Sequence, residues 1–220
     1  MARLILMRHS LSVWNEQERF TGWADVDLAN RGVEEATQSA ESLRRAALVP
    51  QVVHTSRLRR AVRTAEIILE RLDLVEVPLM RSWQLNERHY GLLQGMTHQE
   101  ACERFGRDAV NRLRRSAREA PDPDGGAGPL GGAESFVQVQ DRVRDYWERM
   151  LEPEIARGRT VLCVAHGTSV RSLISILEGL ERGAAAALEV ATGEARLYEW
   201  LDIGTRDRPV RRPLDVIARE

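Results

Sequence analysis

The stretch Leu4-Ile5-Leu6-Met7-Arg8-His9-Ser10-Leu11-Ser12-Val13-Trp14-Asn15 decides how the chain reads. Its first four residues are an unbroken apolar run, which suits a strand buried on both faces of a parallel sheet. Arg8 and His9 follow at once. Open α/β sheets bind ligands just beyond the carboxyl ends of their strands. The pair therefore sets a permanent cation beside an imidazole where a site should form. Arg8 offers a planar fork of donors to phosphate or carboxylate, and His9 can act as base, ligand or nucleophile. Taken alone, the pair is equally compatible with a histidine closing a core strand beside an arginine that leaves the sheet.

A second stretch repeats the pattern. Thr160-Val161-Leu162-Cys163-Val164-Ala165 is another apolar run, and it ends in His166-Gly167-Thr168-Ser169. Two strand-end histidines on one sheet would face one crevice. Ser169 to Leu180 reads as a helix with Val170, Leu173, Ile174 and Leu177 on one side. The amides of Gly167, Thr168 and Ser169 would then lie at its positive end, where an anion is favoured.

Between these stretches the chain alternates strand and helix. Residues 10–30 read as a loop over the site. Asn30 is the expected cap of a helix from Arg31 to about Ala47. A strand is expected over Gln51–His54, a helix from Ser56 to Arg71, and a brief strand over Leu74–Val77. Residues 83–132 break the alternation and read as a cap with helices near Thr97–Phe105 and Asp108–Arg118. Its Pro- and Gly-rich end, Pro121–Gly132, reads as a mobile loop. One helix is expected over Glu134–Arg157 and a last strand over Arg196–Asp202. The tail 204–220, with four arginines by Arg212, reads as mobile or as covering a neighbouring subunit. The fold class is therefore α/β: a three-layer α/β/α sandwich with a mainly parallel sheet and a helical cap insertion, in one domain over residues 1–220.

Composition narrows the chemistry. A 220-residue chain that is 43% hydrophobic can bury a substantial core. Its formal net charge of −1 points to neither nucleic acid nor an anionic membrane as a partner. All 32 basic residues are arginines, which excludes lysine and Schiff-base chemistry. Cys102 and Cys163 have neither metal spacing nor a disulfide pattern. Met1-Ala2-Arg3 runs straight into the first strand, leaving no room for a signal peptide, and no apolar run approaches a membrane span. A cytoplasmic protein is the expectation.

Arg8-His9, Ser12-x-Trp14-Asn15 and Thr21-Gly22-Trp23 resemble the histidine phosphatase superfamily, and within it the cofactor-dependent phosphoglycerate mutases. The likeness continues through Thr55-Ser56-x-Leu58-x-Arg60-Ala61-x-x-Thr64, Leu85-Asn86-Glu87-Arg88-His89-Tyr90-Gly91, Arg114-Arg115-Ser116, Glu134-Ser135 and His166-Gly167-x-Ser169-x-Arg171. It runs from about Arg3 to Trp200. The block from Asn86 to Gly91 is what separates the mutase branch from most plain phosphatases.

The resemblance implies a phosphoglycerate mutase-like fold and interconversion of 3-phosphoglycerate and 2-phosphoglycerate through a phosphohistidine, primed by 2,3-bisphosphoglycerate and needing no metal. It implies His9 as nucleophile, with Arg8, Arg60 and His166 around the phosphoryl oxygens and Glu87 as general acid and base. Of Arg57, Arg59, Arg60 and Arg63, the motif singles out Arg60 and leaves the others as solvated charges. Asn15, Thr21 and Gly22 would donate from the covering loop, while Trp14 and Trp23 read as packing residues. Arg88, Tyr90, Arg114 and Arg115 match the positions that hold the far anion of the substrate. The partners implied are a small phosphorylated carboxylate and copies of the same chain, as dimer or tetramer.

Four positions depart from the family pattern: Ser10 for glycine, Leu11 for a glutamate or glutamine, Thr168 for asparagine and His98 for lysine. Ser10 would be strained if its φ were positive. His98 is carried as a substrate-facing residue, with Gly167 and Thr168 as further binding groups. These departures leave a second reading: a phosphatase or mutase for another small phosphorylated carboxylic acid. A sensor of phosphorylated metabolites is a third, opposed by the intact His9, Glu87 and His166.

Overall fold

The computed structural model describes residues 1–115, 133–201 and 210–212, with backbone alone for 112–115 and 210–212. In chain order the described elements are β1 (Ala2–Arg8), α1 (Val13–Glu16), α2 (Asn30–Arg45), β2 (Val52–Thr55), α3 (Arg59–Arg71), β3 (Leu79–Arg81), α4 (His98–Phe105) and α5 (Arg107–Arg115). After the cap come α6 (Phe136–Tyr146), α7 (Glu152–Ala156), β4 (Thr160–Ala165), α8 (Gly167–Glu178), α9 (Arg182–Ala187), β5 (Ala195–Trp200) and β6 (Val210–Arg212). The sheet order is β3-β2-β4-β1-β5-β6, with the first four strands parallel and β5 and β6 antiparallel to their neighbours.

Side chains alternate across a strand, so the run Leu4 to Met7 supplies two cores. Leu4 and Leu6 pack with Val161 and Cys163 against Val139, Val143, Leu173 and Ile174 of α6 and α8. Ile5 and Met7 pack with Leu162 and Val164 against Ala40, Leu43, Ala61, Ala65 and Ile68 of α2 and α3. A sheet apolar on both faces, with helices on each, makes the expected three-layer sandwich. Phe20, Leu93, Ala101 and Val110 form a separate small cluster beneath α4 and α5.

Several boundaries differ from the sequence reading. Leu74–Val77 is a turn, its amides at Leu74 and Val77 spent on Leu69 and Leu74 carbonyls. The strand starts after Pro78, whose carbonyl accepts from Val53. The residue preceding α2 is Ala29, which has no side-chain cap; Asn30 is already helical. The single helix expected over Glu134–Arg157 is interrupted by a π turn at Trp147–Leu151. Pro153 has no N–H for the carbonyl four residues earlier, so the regular ladder cannot run through. The loop over the site contains α1, capped reciprocally by Ser12 and Asn15. Part of the tail, Val210–Arg212, pairs with β5 as an edge strand rather than leaving the fold. The expected loop Pro121–Gly132 lies outside the described residues.

Candidate active site

Parallel pairing of β1 and β4 sets Arg8 opposite Ala165. The next residues, His9 and His166, therefore leave the sheet side by side, with ring centroids 4.9 Å apart. The His9 amide still donates to the Ala165 carbonyl at 2.8 Å. His9 Nδ1 lies 2.7 Å from the Ser10 carbonyl oxygen. That oxygen can only accept, so Nδ1 carries the proton. Arg60 Nε, which can only donate, lies 3.3 Å from His9 Nε2, so Nε2 presents a lone pair. Burial, reinforced by Arg60 and Arg8, holds the His9 pKa well below the ordinary histidine value, with the Ser10 carbonyl opposing. His9 is thus neutral and oriented, with Nε2 as its unprotonated nitrogen.

The cations around it are fixed by backbone carbonyls. Arg60 is buried on α3 while Arg57, Arg59 and Arg63 are exposed, as the motif reading expects. Its Nη1 and Nη2 donate to Ala24 and Gly22 carbonyls at 2.9 and 2.8 Å, which ties the covering loop down over His9. Burial lowers its pKa to about 10, so it remains charged at neutral pH. Arg8 Nη1 donates to the Val190 carbonyl at 2.6 Å. Arg8 Nε and His166 Nδ1 are buried with no partner among the described residues. Buried polar atoms without partners are rare; an oxyanion bound against His9 would satisfy both. His166 Nε2 meets Ser56 Oγ at 2.7 Å. Ser56, expected to open α3, instead precedes it and supports the second histidine. Its motif position, Thr55-Ser56, was the available signal. Burial first, then Arg60, His9 and Arg8, depress the His166 pKa well below its ordinary value.

Glu87 stands across the same cleft, almost wholly buried. Its carboxylate accepts from the Arg88 amide at 2.7 Å and the Thr168 amide at 3.2 Å. Burial pushes its pKa up, but hydrogen bonds from Thr168 and the Arg88 amide, with Arg171 and Arg8 nearby, outweigh that and leave it lowered. The anion at the start of α8 is therefore the Glu87 carboxylate itself, which takes one of the amides expected to serve a ligand.

A cavity of about 450 Å³ opens over these groups, lined by Arg8, His9, Asn15, Thr21, Gly22, Arg60, Glu87, Tyr90 and His98, with Glu18, Arg19 and Phe20. The structure thus brings together most of the residues assigned from sequence, from both strand ends, α3, the covering loop and the cap. Gly22 has φ 52°, a backbone conformation that side chains rarely adopt, and a Cβ there would meet the Gln94 side-chain oxygen at 2.1 Å. Asn15 spends Oδ1 on the Ser12 hydroxyl, leaving its amide nitrogen as the donor. His98 faces the cavity and stacks on Phe20 at 5.7 Å. Gly167 lines an adjoining cavity that shares Arg8, Glu87 and Tyr90. Thr168 sits behind the wall, its hydroxyl accepting from Arg171 at 3.0 Å.

Three expectations are corrected. Arg88 is buried and not in the cavity lining; its Nε donates to the Glu134 carbonyl, where it braces the wall. Trp23 does more than pack, because its Nε1 donates to the Glu87 carbonyl at 2.6 Å. Ser10 does not have a positive φ, so it is not strained there. Arg114 and Arg115 end the backbone of α5, but their side chains lie outside the described residues. Among the described residues, no group of three or more His, Cys, Asp or Glu could hold a metal ion.

Residues 4–206 match the family model of the histidine phosphatase superfamily, branch 1. The chain belongs to that superfamily. Phosphoglycerate mutase 1 of Saccharomyces cerevisiae is 39% identical over 215 residues, covering 90% of this chain and 87% of the relative. A 2,3-bisphosphoglycerate-dependent phosphoglycerate mutase of Staphylococcus carnosus is 42% identical over 219 residues, covering 92% and 96%. Among solved structures, a mycobacterial glucosyl-3-phosphoglycerate phosphatase superposes with TM-score 0.75 at 30% identity, covering 90% of this chain and 92% of that one. A phosphoglycerate mutase from Bacillus anthracis superposes with TM-score 0.74 at 25% identity, covering 90% and 87%.

Proposed function

We propose that the chain is a phosphoglycerate mutase, interconverting 3-phosphoglycerate and 2-phosphoglycerate through phospho-His9. The observation that carries the chemistry is the fixed tautomer of His9, whose Nε2 lone pair faces Arg60 in the cleft beside Arg8 and His166. Relatives named as mutases at about 40% identity, over nine-tenths of the chain, favour this over a phosphatase of another acid. The partnerless Arg8 Nε and His166 Nδ1 fit the charge of a phosphorylated ligand.

When bound, 2,3-bisphosphoglycerate supplies the phosphoryl group that loads His9. Glu87, a carboxylate in the resting site, then takes the proton of the C2 hydroxyl of 3-phosphoglycerate. As that oxygen bonds to phosphorus, the P–N bond breaks and its electron pair returns to Nε2. In the second half, Nε2 attacks the phosphorus at C3. The bond between phosphorus and the C3 oxygen breaks, and Glu87 returns its proton to that oxygen. The arginines and His166 carry the charge on the transferring phosphoryl group throughout, the work that positioned donors do in such reactions. Asn15, Thr21 and Gly22 hold the ligand from the loop. Tyr90, His98, Arg114 and Arg115 serve its far anion.

The test is acid-quenched labelling with 2,3-bisphosphoglycerate, followed by peptide mass spectrometry under conditions that preserve phosphohistidine. Label is expected on His9 and absent from His9→Ala. Label on His166 instead would overturn the assignment of the nucleophile, and no label in a folded protein would overturn the mutase reading. The remaining parts of the reading are one domain over residues 1–220 with a cap at about 83–132, a homo-oligomer, and a cytoplasmic location. Light scattering tests the oligomer. No helix among the described residues is long and apolar enough to cross a membrane.

A further inference from the structure

Glu87 sits on a segment without regular secondary structure, yet a proton carrier must be held to within a fraction of an ångström of its target. What holds it is a buried ion pair that the reaction scheme leaves unused. Arg142, on α6, has five N–H donors, and all five have acceptors. Nε donates to Glu134 Oε1 at 2.7 Å, and Nη2 to Glu134 Oε2 at 2.8 Å. Nη1 donates to the carbonyls of Gln84 and Asn86 at 2.7 and 2.9 Å, and Nη2 to that of Glu87 at 2.9 Å.

Glu134 holds the far side of the same segment. Its Oε2 accepts from the His89 amide at 2.9 Å, its amide donates to the His89 carbonyl at 2.9 Å, and its carbonyl accepts from Arg88 Nε. Trp23 adds the donor to the Glu87 carbonyl, with the Arg142 guanidinium 6.0 Å from its ring. Every residue from Asn86 to His89 is thus bonded to the pair. The side chains of Arg142 and Glu134 are only 7% and 18% exposed. A buried ion pair stabilises a fold no better than apolar residues of similar volume. Its geometry, with carbonyls flanking one carboxylate as the targets, fits placement rather than stability.

We propose that Arg142 and Glu134 are positioning residues: they clamp the backbone on both sides of Glu87 and so set where its carboxyl group meets the reacting oxygen. The inference rests on the reading of Glu87 as acid and base. Lysine at 142 keeps the charge but offers three donors on a single atom, which cannot reach carbonyls and carboxylate at once.

The test is a double-mutant cycle. Parent, Arg142→Lys, Glu87→Gln and the double variant are assayed for mutase kcat and KM and for the rate of His9 labelling by 2,3-bisphosphoglycerate. Arg142→Lys is expected to lower kcat by about 100-fold, the cost of a misplacement near 1 Å, with KM moving less than about threefold. In the Glu87→Gln background, where no proton carrier is left to misplace, the same change is expected to cost less than about threefold. Losses that multiply, or a fall in KM-dependent binding alone, would overturn the inference, as would an unaltered kcat in Arg142→Lys. Glu87→Gln with parental kcat would instead overturn the reading of Glu87. Should Arg142→Lys not fold, Trp23→Phe runs the same cycle, since it removes one donor to the Glu87 carbonyl and keeps an aromatic ring. Glu134→Gln is expected to behave as Arg142→Lys does.

Discussion

His54 makes the acid stability of this protein predictable. It lies in β2, opposite Cys163 in β4, and is buried to 1% exposure. Its Nδ1 bonds the Tyr146 hydroxyl at 2.8 Å, and its Nε2 has no partner among the described residues. Burial lowers its pKa from 6.5 to about 4, with the charge of Glu154 opposing weakly. The folded state thus disfavours the charged form, and the unfolded chain binds the proton first. The stability that neutral His54 contributes is complete above pH 6.5 and is lost as pH falls toward 4. Linkage gives a loss of about 2 kcal/mol between pH 7 and 5, and about 3 kcal/mol by pH 4. Urea unfolding of parent and His54→Asn at pH 7, 6, 5 and 4 isolates this contribution. Asparagine keeps a side-chain group near Nδ1 for Tyr146 and cannot titrate. The variant is expected to be less stable at pH 7 by roughly 1–3 kcal/mol and to close that gap as pH falls. His9 and His166 titrate in both proteins and cancel in the difference. Parallel stability curves across the four pH values would refute the reasoning.

Three further outcomes are expected. Arg171→Gln removes a nearby charge that favours the ionised form of Glu87, so its pKa rises and the acid limb of the kcat profile moves to higher pH; an unmoved limb counts against Glu87 as the base. Gly32→Ala, which in an ordinary helix interior would stabilise by about 1 kcal/mol, is expected to lower the melting temperature and the activity. Its Cβ would meet the Leu11 carbonyl oxygen at 1.9 Å, two residues from His9, and a raised melting temperature would show that α2 can move freely off the loop. Ser10→Ala deletes a buried hydroxyl that has no partner among the described residues, so a gain of roughly 1 kcal/mol in urea unfolding is expected.

The strand-end histidines were legible because two local signals coincide in each: an apolar run long enough for a strand, then a titratable residue where such strands end. The alternation of Leu4 and Leu6 with Ile5 and Met7 likewise carries both cores, because side-chain period is a property of the strand alone. Arg60 could be picked out of its arginine-rich turn only through the family motif. Charge type says nothing about which face of a helix is buried. The strand at Leu79–Arg81 is not legible for a similar reason: Leu74–Val77 is as apolar, and only pairing with Val53 and Thr55 selects the later segment.

The residue types of the site, its pair of strand-end histidines and its three-layer frame were therefore determined by the sequence. The rest was decided by contacts between residues far apart in the chain. The tautomer of His9 depends on Arg60, 51 residues away. The ionisation of Glu87 depends on Thr168, and the support of His166 on Ser56, at separations of 81 and 110 residues. The clamp on Glu87 reads in sequence as one glutamate of the family pattern, Glu134, and an arginine eight positions on that belongs to no motif. A hydrogen bond is set by distance and angle in space, and a pKa by the dielectric and charges that folding assembles, so neither is encoded in the local pattern of the chain.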